Sequence, residues 1–167
     1  KRTIHVEGEQ VYPNVSRETM ADLFEQHLGV TEYNGIVIDI QTWYYGRLVK
    51  DAWCATSLSY FANKANVSEQ VGKHENCDRM KDYMANKKRL HKVKRYGGDG
   101  KYIPKRGDVV FMSSRNIYAD ITHVGVVSSI NGNTLKVVSG NMKDRIQIDT
   151  YNLSTSAYVV AFGEVDY

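Results

Sequence analysis

The dipeptide Asn131-Gly132 joins two apolar runs and gives the clearest indication of local structure in this chain. Asn-Gly favours the tight turn of a β-hairpin, because both central residues of that turn need a positive φ. The sequence therefore predicts two antiparallel strands, residues 122–130 and 134–139, which bring the end of the second strand back beside the start of the first.

The rest of the chain divides into a helical part followed by a part rich in strands. Apolar residues at three- and four-residue spacing predict helices at 16–28 (with Ser16 as its cap), 53–65 and 76–89. Alternating or continuous apolar runs predict further strands at 108–112, 145–151 and 158–165. The short run 36–40 fits a strand or the start of a buried helix. Helices that precede an antiparallel sheet of about five to six strands define an α+β fold.

The composition limits the class of protein. A chain of 167 residues is long enough for one hydrophobic core, and no apolar run approaches the ~20 residues that cross a bilayer. The first residues contain no signal-peptide h-region and no initiator Met, so we expect an excised domain or a processed chain. Two cysteines are too few for a disulfide framework.

Positive charge is concentrated in one segment. The chain has a formal net charge of +3, yet residues 73–106 hold 12 Lys or Arg against 4 Asp or Glu. This segment is either a solvated face or an electropositive surface for a polyanion. Nucleic acid and anionic cell-wall polymers fit such a surface equally well on charge, but the chain contains no recognisable nucleic-acid-binding module, so we rank nucleic acid lowest.

Cys54 and His123 form a candidate thiol site. Cys54 lies at the first turn of a predicted helix, where free backbone N–H groups favour a thiolate and can hold an oxyanion. His123 lies at the start of a predicted strand and can act as its base. The hairpin brings Asn141 back beside His123, where its side chain could accept the imidazole N–H. Cys, then His, then Asn is the chain order of papain-like hydrolases.

Each residue also has an ordinary structural interpretation. A single Cys on an apolar helix face often fills a core, and a single His in a strand is often a satisfied polar residue. Cys77 lies in a polar segment and is interpreted as structural or incidental. A zinc site that combines Cys54, Cys77, His74 and His123 is disfavoured, because the chain has no Cys-x-x-Cys or His-x-x-x-His pairing.

Four ordered motifs resemble the CHAP domain, the cysteine, histidine-dependent amidohydrolase/peptidase module related to the NlpC-type hydrolases. The segment 52–55 (AWCA) resembles its nucleophile motif, and 103–111 (IPKRGDVVF) resembles its Pro-x-x-Gly-Asp strand. The segments 122–127 (THVGVV) and 138–141 (VSGN) resemble its histidine strand and the strand of the third residue. The segment 44–46 (YYG) is similar to an aromatic-Gly element upstream.

The resemblance implies a papain-like fold and hydrolysis of peptidoglycan amide bonds, as in phage endolysins and bacterial wall hydrolases. It covers roughly residues 40–165, so we expect an N-terminal arm and helix at 1–35 and a CHAP-like catalytic domain at 36–167. It implies Cys54 as nucleophile, His123 as base and Asn141 as orienting residue. Tyr45, Trp53 and Ser139 are further candidates for oxyanion or substrate binding.

Two positions depart from the family pattern. Many members carry Glu where this chain has Ser139, which supplies no negative charge to orient the histidine. Some relatives bind calcium through closely spaced Asp residues before the Cys. Here Asp39 and Asp51 are twelve residues apart, so we expect no cofactor and no metal.

The implied partners are peptidoglycan, anionic wall polymers and a separate wall-binding domain or subunit. The implied place of action is the bacterial cell wall, reached by secretion or by release from the host cytoplasm during phage lysis. The sequence does not choose between a muramoyl-L-alanine amidase and a peptide endopeptidase. Two alternatives also stay open: a non-catalytic wall-binding module on the same fold, and a papain-like protease or deamidase that acts on proteins.

Overall fold

The structure is a computed structural model. It describes residues 18–49 and 51–167, together with the backbone of two short strands at 4–6 and 10–12. Ser16, the expected helix cap, lies outside the described residues. The α-helices are α1 (Glu18–Glu25), α2 (Ile36–Tyr45), α3 (Cys54–Lys64), α4 (Ser68–Val71) and α5 (Cys77–Asn86).

The described residues form eight strands in two separate sheets. The strands are β1 (Ile4–Val6), β2 (Gln10–Tyr12), β3 (Leu90–Lys92), β4 (Val109–Met112), β5 (His123–Asn131), β6 (Thr134–Met142), β7 (Arg145–Asn152) and β8 (Val159–Gly163). β1 and β2 pair with each other, and the other six form one antiparallel sheet in the order β3-β8-β4-β5-β6-β7. The expected α+β arrangement and strand number are confirmed. The edge strand β3 was not predicted, because its three residues carry no alternation.

The ambiguous segment 36–40 is the start of helix α2, and Gly46 ends that helix in a left-handed conformation with φ 76°. A short apolar run cannot distinguish strand from helix by itself. The following residues up to Tyr45 continue the helical turns, and Val37, Ile40 and Gln41 bury one face against the rest of the protein.

The hairpin between β5 and β6 is present, but its turn is displaced by one residue from the predicted position. Asn131 pairs with Thr134, so the two central turn residues are Gly132 and Asn133. Of these two turn residues, only Gly132 has a positive φ, at 59°. The turn therefore needs glycine at its first central position, as a type II′ turn does, rather than two left-handed residues.

The sheet buries both faces. Side chains alternate along a strand, so Val109, Phe111 and Val124 join the helices in one core cluster, whereas Val110 and Met112 belong to a second cluster on the other face. Helix α3 lies at the centre of the first cluster and is buried along residues 54–62. Small side chains on most of these positions allow strands and helices to approach α3 from several sides.

Helix α1 packs on α3 through Phe24 and Phe61, whose ring centroids are 4.5 Å apart. An ion-pair network then connects α1 to the sheet: Arg106 contacts both Asp22 and Glu25, and Glu25 also accepts a hydrogen bond from Ser128. Within the described part of the chain, no helix is both long enough and apolar enough to cross a membrane.

Candidate active site

Cys54 is the first residue of α3, as the sequence predicted. The first intrahelical bond runs from the Ser57 N–H to the Trp53 carbonyl at 2.9 Å. The N–H groups of the first turn are therefore free of intrahelical partners, and this turn contains no acidic side chain. The Cys54 side chain is only 6% exposed. The uncompensated helix N-terminus favours the thiolate and leaves donors for an oxyanion, whereas burial of the sulfur disfavours the charged form.

His123 is the first residue of β5, and its ring is close enough to Cys54 for a hydrogen bond and its charge to lower the pKa of the thiol. Its side chain is 7% exposed. The backbone N–H of Val124 also faces the sulfur and favours its charged form. The structure thus brings together the two residues on which the candidate site depends, one from a helix start and one from a strand start.

The hydrogen-bond partner of the His123 ring is Ser139. Its Oγ lies 2.8 Å from Nε2 of His123, and Ser139 is 1% exposed. Because Nε2 is engaged by Ser139, Nδ1 is the ring nitrogen left for Cys54. Ser139 stands where many members of the family that the sequence resembles carry Glu. Its neutral side chain orients the His123 ring without adding a charge.

Asn141, expected as the orienting residue, forms no hydrogen bond with His123. Continuing the register of Val126 with Val138 would place Asn141 opposite His123, but the β5–β6 ladder stops at that pair. Asn141 itself has a φ of 62°, outside the strand region, and lies in an irregularity of the β6–β7 ladder between Ser139 and Met142. This break in the ladder explains why a regular register points to Asn141, whereas Ser139 is the residue within hydrogen-bonding distance of His123.

Cys77, which the sequence gave no part in the site, lies against Cys54. The two sulfur atoms are 3.5 Å apart. The hydrogen bond from the Cys77 S–H lowers the pKa of Cys54 well below its usual range, and the hydrogen bond and charge of His123 act in the same direction against burial. The same contact and burial raise the pKa of Cys77. One sulfur therefore carries the negative charge and the other keeps its proton.

A helix cap in the sequence could have indicated that Cys77 begins a helix. Asn76 precedes it, and its Oδ1 accepts the N–H of Arg79 at 3.0 Å, which starts α5 at Cys77. The meeting of the α3 and α5 N-termini, however, depends on packing between helices that no local pattern describes.

Trp53 and Tyr45, two of the further candidates for oxyanion or substrate binding, differ in exposure. Trp53 is 0% exposed, so it supports the site from inside the protein. A Cβ on Gly140 would lie 2.8 Å from its ring, so the absence of a side chain there lets β6 approach the start of α3. Tyr45 is half-buried, with its ring centroid 4.7 Å from that of Tyr44.

Tyr158 is a further residue that the sequence did not single out. Burial raises its pKa to about 12, and the negative charge of Cys54 acts in the same direction. The charge of Cys54 therefore affects the ionisation of the Tyr158 phenol. The phenol stays protonated and retains its O–H. It follows the β7–β8 connection, where no motif marks it.

The Gly107-Asp108 motif has a structural role. Asp108 is completely buried, and its carboxylate accepts hydrogen bonds from the Tyr102 hydroxyl (2.6 Å) and from the backbone N–H groups of Lys105 (2.9 Å) and Val165 (3.2 Å). It thereby holds the start of β4 to the C-terminal segment. β4 in turn pairs with β5 and places His123 beside Met112.

Among the described residues, no three His, Cys, Asp or Glu side chains converge as metal ligands. A concavity of about 330 Å³ lies over the second core cluster, and Lys92, Tyr102 and Phe162 are among its lining residues. Cys54, His123 and Ser139 do not line it.

Among solved structures, the chain is similar to "The crystal structure of Ly7917", with 13% identity, a TM-score of 0.45, and coverage of 88% of this chain and 61% of that one. This chain thus spans less than two thirds of that protein. No curated protein matches. The sequence model of the CHAP domain matches residues 42–141, which include Cys54, His123 and Ser139. The chain belongs to the CHAP domain family, whose members are cysteine/histidine-dependent amidohydrolases and peptidases.

Proposed function

We propose that this protein hydrolyses an amide bond of bacterial peptidoglycan, with Cys54 as nucleophile and His123 as general base and acid. The observation that supports this most strongly is the arrangement of three side chains. Cys54 begins a buried helix, His123 reaches its sulfur, and Ser139 holds the far nitrogen of the ring at 2.8 Å. This is the nucleophile, base and orienting group of a thiol hydrolase.

The first step forms a thioester. The Cys54 thiolate attacks the carbonyl carbon of the amide, and the negative charge that develops on the oxygen is held by free N–H groups at the start of α3. The imidazolium of His123 then gives its proton to the nitrogen of the departing amine. The C–N bond breaks and the acyl group stays on the sulfur.

The second step uses water. Neutral His123 takes a proton from a water molecule, whose oxygen attacks the thioester carbon, and the Cys54 thiolate leaves. In both steps the ring must keep Nδ1 directed at the reacting atoms, which is the role of the Ser139 hydrogen bond.

Anionic wall polymers are the second partner that we propose. Seven exposed Lys or Arg side chains lie between residues 87 and 105, where Asp99 is the one acidic residue. Other cations of the basic segment are internally paired. Arg106 contacts Asp22 and Glu25, and Lys81 donates to the Tyr118 carbonyl at 2.7 Å. The remaining surface charge is screened by salt, since the Debye length falls from about 10 Å at 0.1 M to about 3 Å at 1 M.

The test is the release of soluble fragments from purified Gram-positive walls by the native chain and by Cys54→Ala, with mass spectrometry of the fragments. We expect activity in the native chain, none in Cys54→Ala, and an equal thermal midpoint for both proteins. The fragment masses identify the bond, as a muramoyl-L-alanine amidase and a peptide endopeptidase leave different ends. Equal release by the two proteins would remove Cys54 from the chemistry. Release that is unchanged at several tenths molar salt would contradict the polymer contact.

A further inference from the structure

The active site contains a second sulfur that the hydrolysis does not need as a nucleophile. Cys54 and Cys77 are the first residues of α3 and α5, and their sulfur atoms are in van der Waals contact at 3.5 Å. Both side chains are buried, at 6% and 8% exposure. Two thiols held together in this way are chemically coupled, whatever reaction one of them carries out.

The position of Cys77 is fixed by contacts of α5 with the loop that precedes His123. Asp78 accepts the N–H of Ile121 at 2.9 Å, and Lys81 donates to the carbonyl of Tyr118 at 2.7 Å. The same helix turn therefore holds both the second sulfur and the strand that bears the base. Oxidation at this point would change the nucleophile itself.

We propose that Cys54 and Cys77 form a reversible intramolecular disulfide, in which Cys77 resolves the oxidised nucleophile and a hydroperoxide is the oxidant. The inference rests on the proposed function only in taking Cys54 as the reactive thiolate. It adds a modification site that protects the nucleophile and switches hydrolysis off.

The reaction proceeds in two balanced steps. The Cys54 thiolate attacks one oxygen of hydrogen peroxide, the O–O bond breaks, and the leaving hydroxide takes a proton to become water, which leaves Cys54 as a sulfenic acid. The sulfur of Cys77 then attacks the sulfur of Cys54, the S–O bond breaks, and the leaving hydroxide departs as water with the proton of Cys77. Two thiols and one peroxide give one disulfide and two waters.

The protonation states set the order of these steps. The pKa of Cys54 is lowered and that of Cys77 is raised, so Cys54 is the thiolate that meets peroxide first. Once Cys54 is a neutral sulfenic acid, the charge that kept the proton on Cys77 is gone. Its sulfur must then approach by about 1.5 Å to reach the ~2.05 Å of a disulfide bond, a movement that rotation of the two side chains can supply.

The competing outcome is overoxidation. A sulfenic acid without a nearby thiol reacts with more peroxide to the sulfinic acid, which dithiothreitol does not reduce. Cys77 is in contact with Cys54, so the intramolecular attack has no diffusion step. The pair should therefore divert the nucleophile away from irreversible damage.

The experiment compares the native chain with Cys77→Ala and Cys77→Ser after treatment with excess hydrogen peroxide. Alkylation in denaturant and mass spectrometry of the peptides then report the state of each sulfur. For the native chain we expect the loss of two hydrogens, a linked peptide pair that contains Cys54 and Cys77, and full return of both free thiols with dithiothreitol. For both variants we expect two or three oxygens added at Cys54 and no return.

The readout does not depend on wall hydrolysis, so it separates this inference from the proposed function. A native chain that forms the disulfide but releases no wall fragments would refute the hydrolase alone. A native chain that gains oxygen at Cys54 while Cys77 stays free would refute the disulfide alone. In Cys54→Ala, the buried Cys77 should stay unmodified. If the Cys77 variants fail to fold, the peptide map of the native chain still decides between the linked and the oxygenated product.

Discussion

Replacement of Ser139 by Ala removes the one hydrogen bond that fixes the outer nitrogen of the His123 ring. The bond is 2.8 Å long, and its two side chains are 1% and 7% exposed, so water does not readily replace the lost hydroxyl. A buried polar atom left without a partner costs about 2 kcal/mol. At 1.36 kcal/mol for each factor of ten, this predicts a decrease of about 30-fold in kcat/KM.

The matched control is Asn141→Gly, which removes the side chain of a neighbouring polar residue that makes no hydrogen bond with His123 and which suits the φ of 62° at that position. We expect its kcat/KM to stay within about twofold of native, since a substitution without lost partners or backbone strain changes free energies by about 0.5 kcal/mol or less. The assay is the initial rate of amine release from solubilised walls over a range of substrate concentrations. Thermal unfolding of each variant checks that the fold is retained.

Two results would refute this reasoning. One is a Ser139→Ala protein with native kcat/KM, which would show that packing alone orients the ring. The other is a larger loss in Asn141→Gly than in Ser139→Ala, which would show that the strand end rearranges when substrate binds and that the extrapolated register describes the working enzyme.

Three further predictions concern the nucleophile and its support. Because the pKa of Cys54 is lowered, its thiolate fraction falls only as the pH drops through that lowered value. Alkylation of Cys54 by iodoacetamide should therefore stay rapid well below pH ~8.5, the pKa of a free thiol, and His123→Ala should shift the pH–rate profile to higher pH. A profile with an ordinary thiol pKa in the native chain would contradict this prediction. Asp108→Asn keeps one acceptor oxygen but places an NH2 group against at least one of the donors that the carboxylate now accepts from. We expect a loss of about 3 kcal/mol in the free energy of unfolding and a midpoint lower by about 10 °C in calorimetry. An unchanged midpoint would show that the motif is not structural. Gly140→Ala places a Cβ 2.8 Å from the Trp53 ring, so we expect a loss of about 2 kcal/mol by urea unfolding and slower alkylation of Cys54; native values in both would mean that α3 moves away without consequence.

The sequence predicted those parts of the site that depend on local rules. A helix that begins at Cys54 places the thiol at free N–H groups, and this follows from neighbours a few residues away. A turn near residues 131–133 returns the chain and brings the segment 139–141 toward His123, because antiparallel strands joined by a tight turn must pair. The displacement of that turn by one residue did not change the strand assignment, since both flanking runs stayed strands.

The tertiary structure decided which partners face the reacting atoms. Ser139 rather than Asn141 binds the histidine, because the ladder ends at Val126 and Val138 and the backbone of Asn141 leaves the strand conformation. A regular register cannot anticipate such a break, since it arises from how β6 pairs with β7 and packs on α3. Cys77 is 23 residues from Cys54 in the chain, and only the packing of two helix starts brings their sulfur atoms into contact. Local sequence thus determined which residues stand at reactive positions, whereas long-range packing determined what each of them touches.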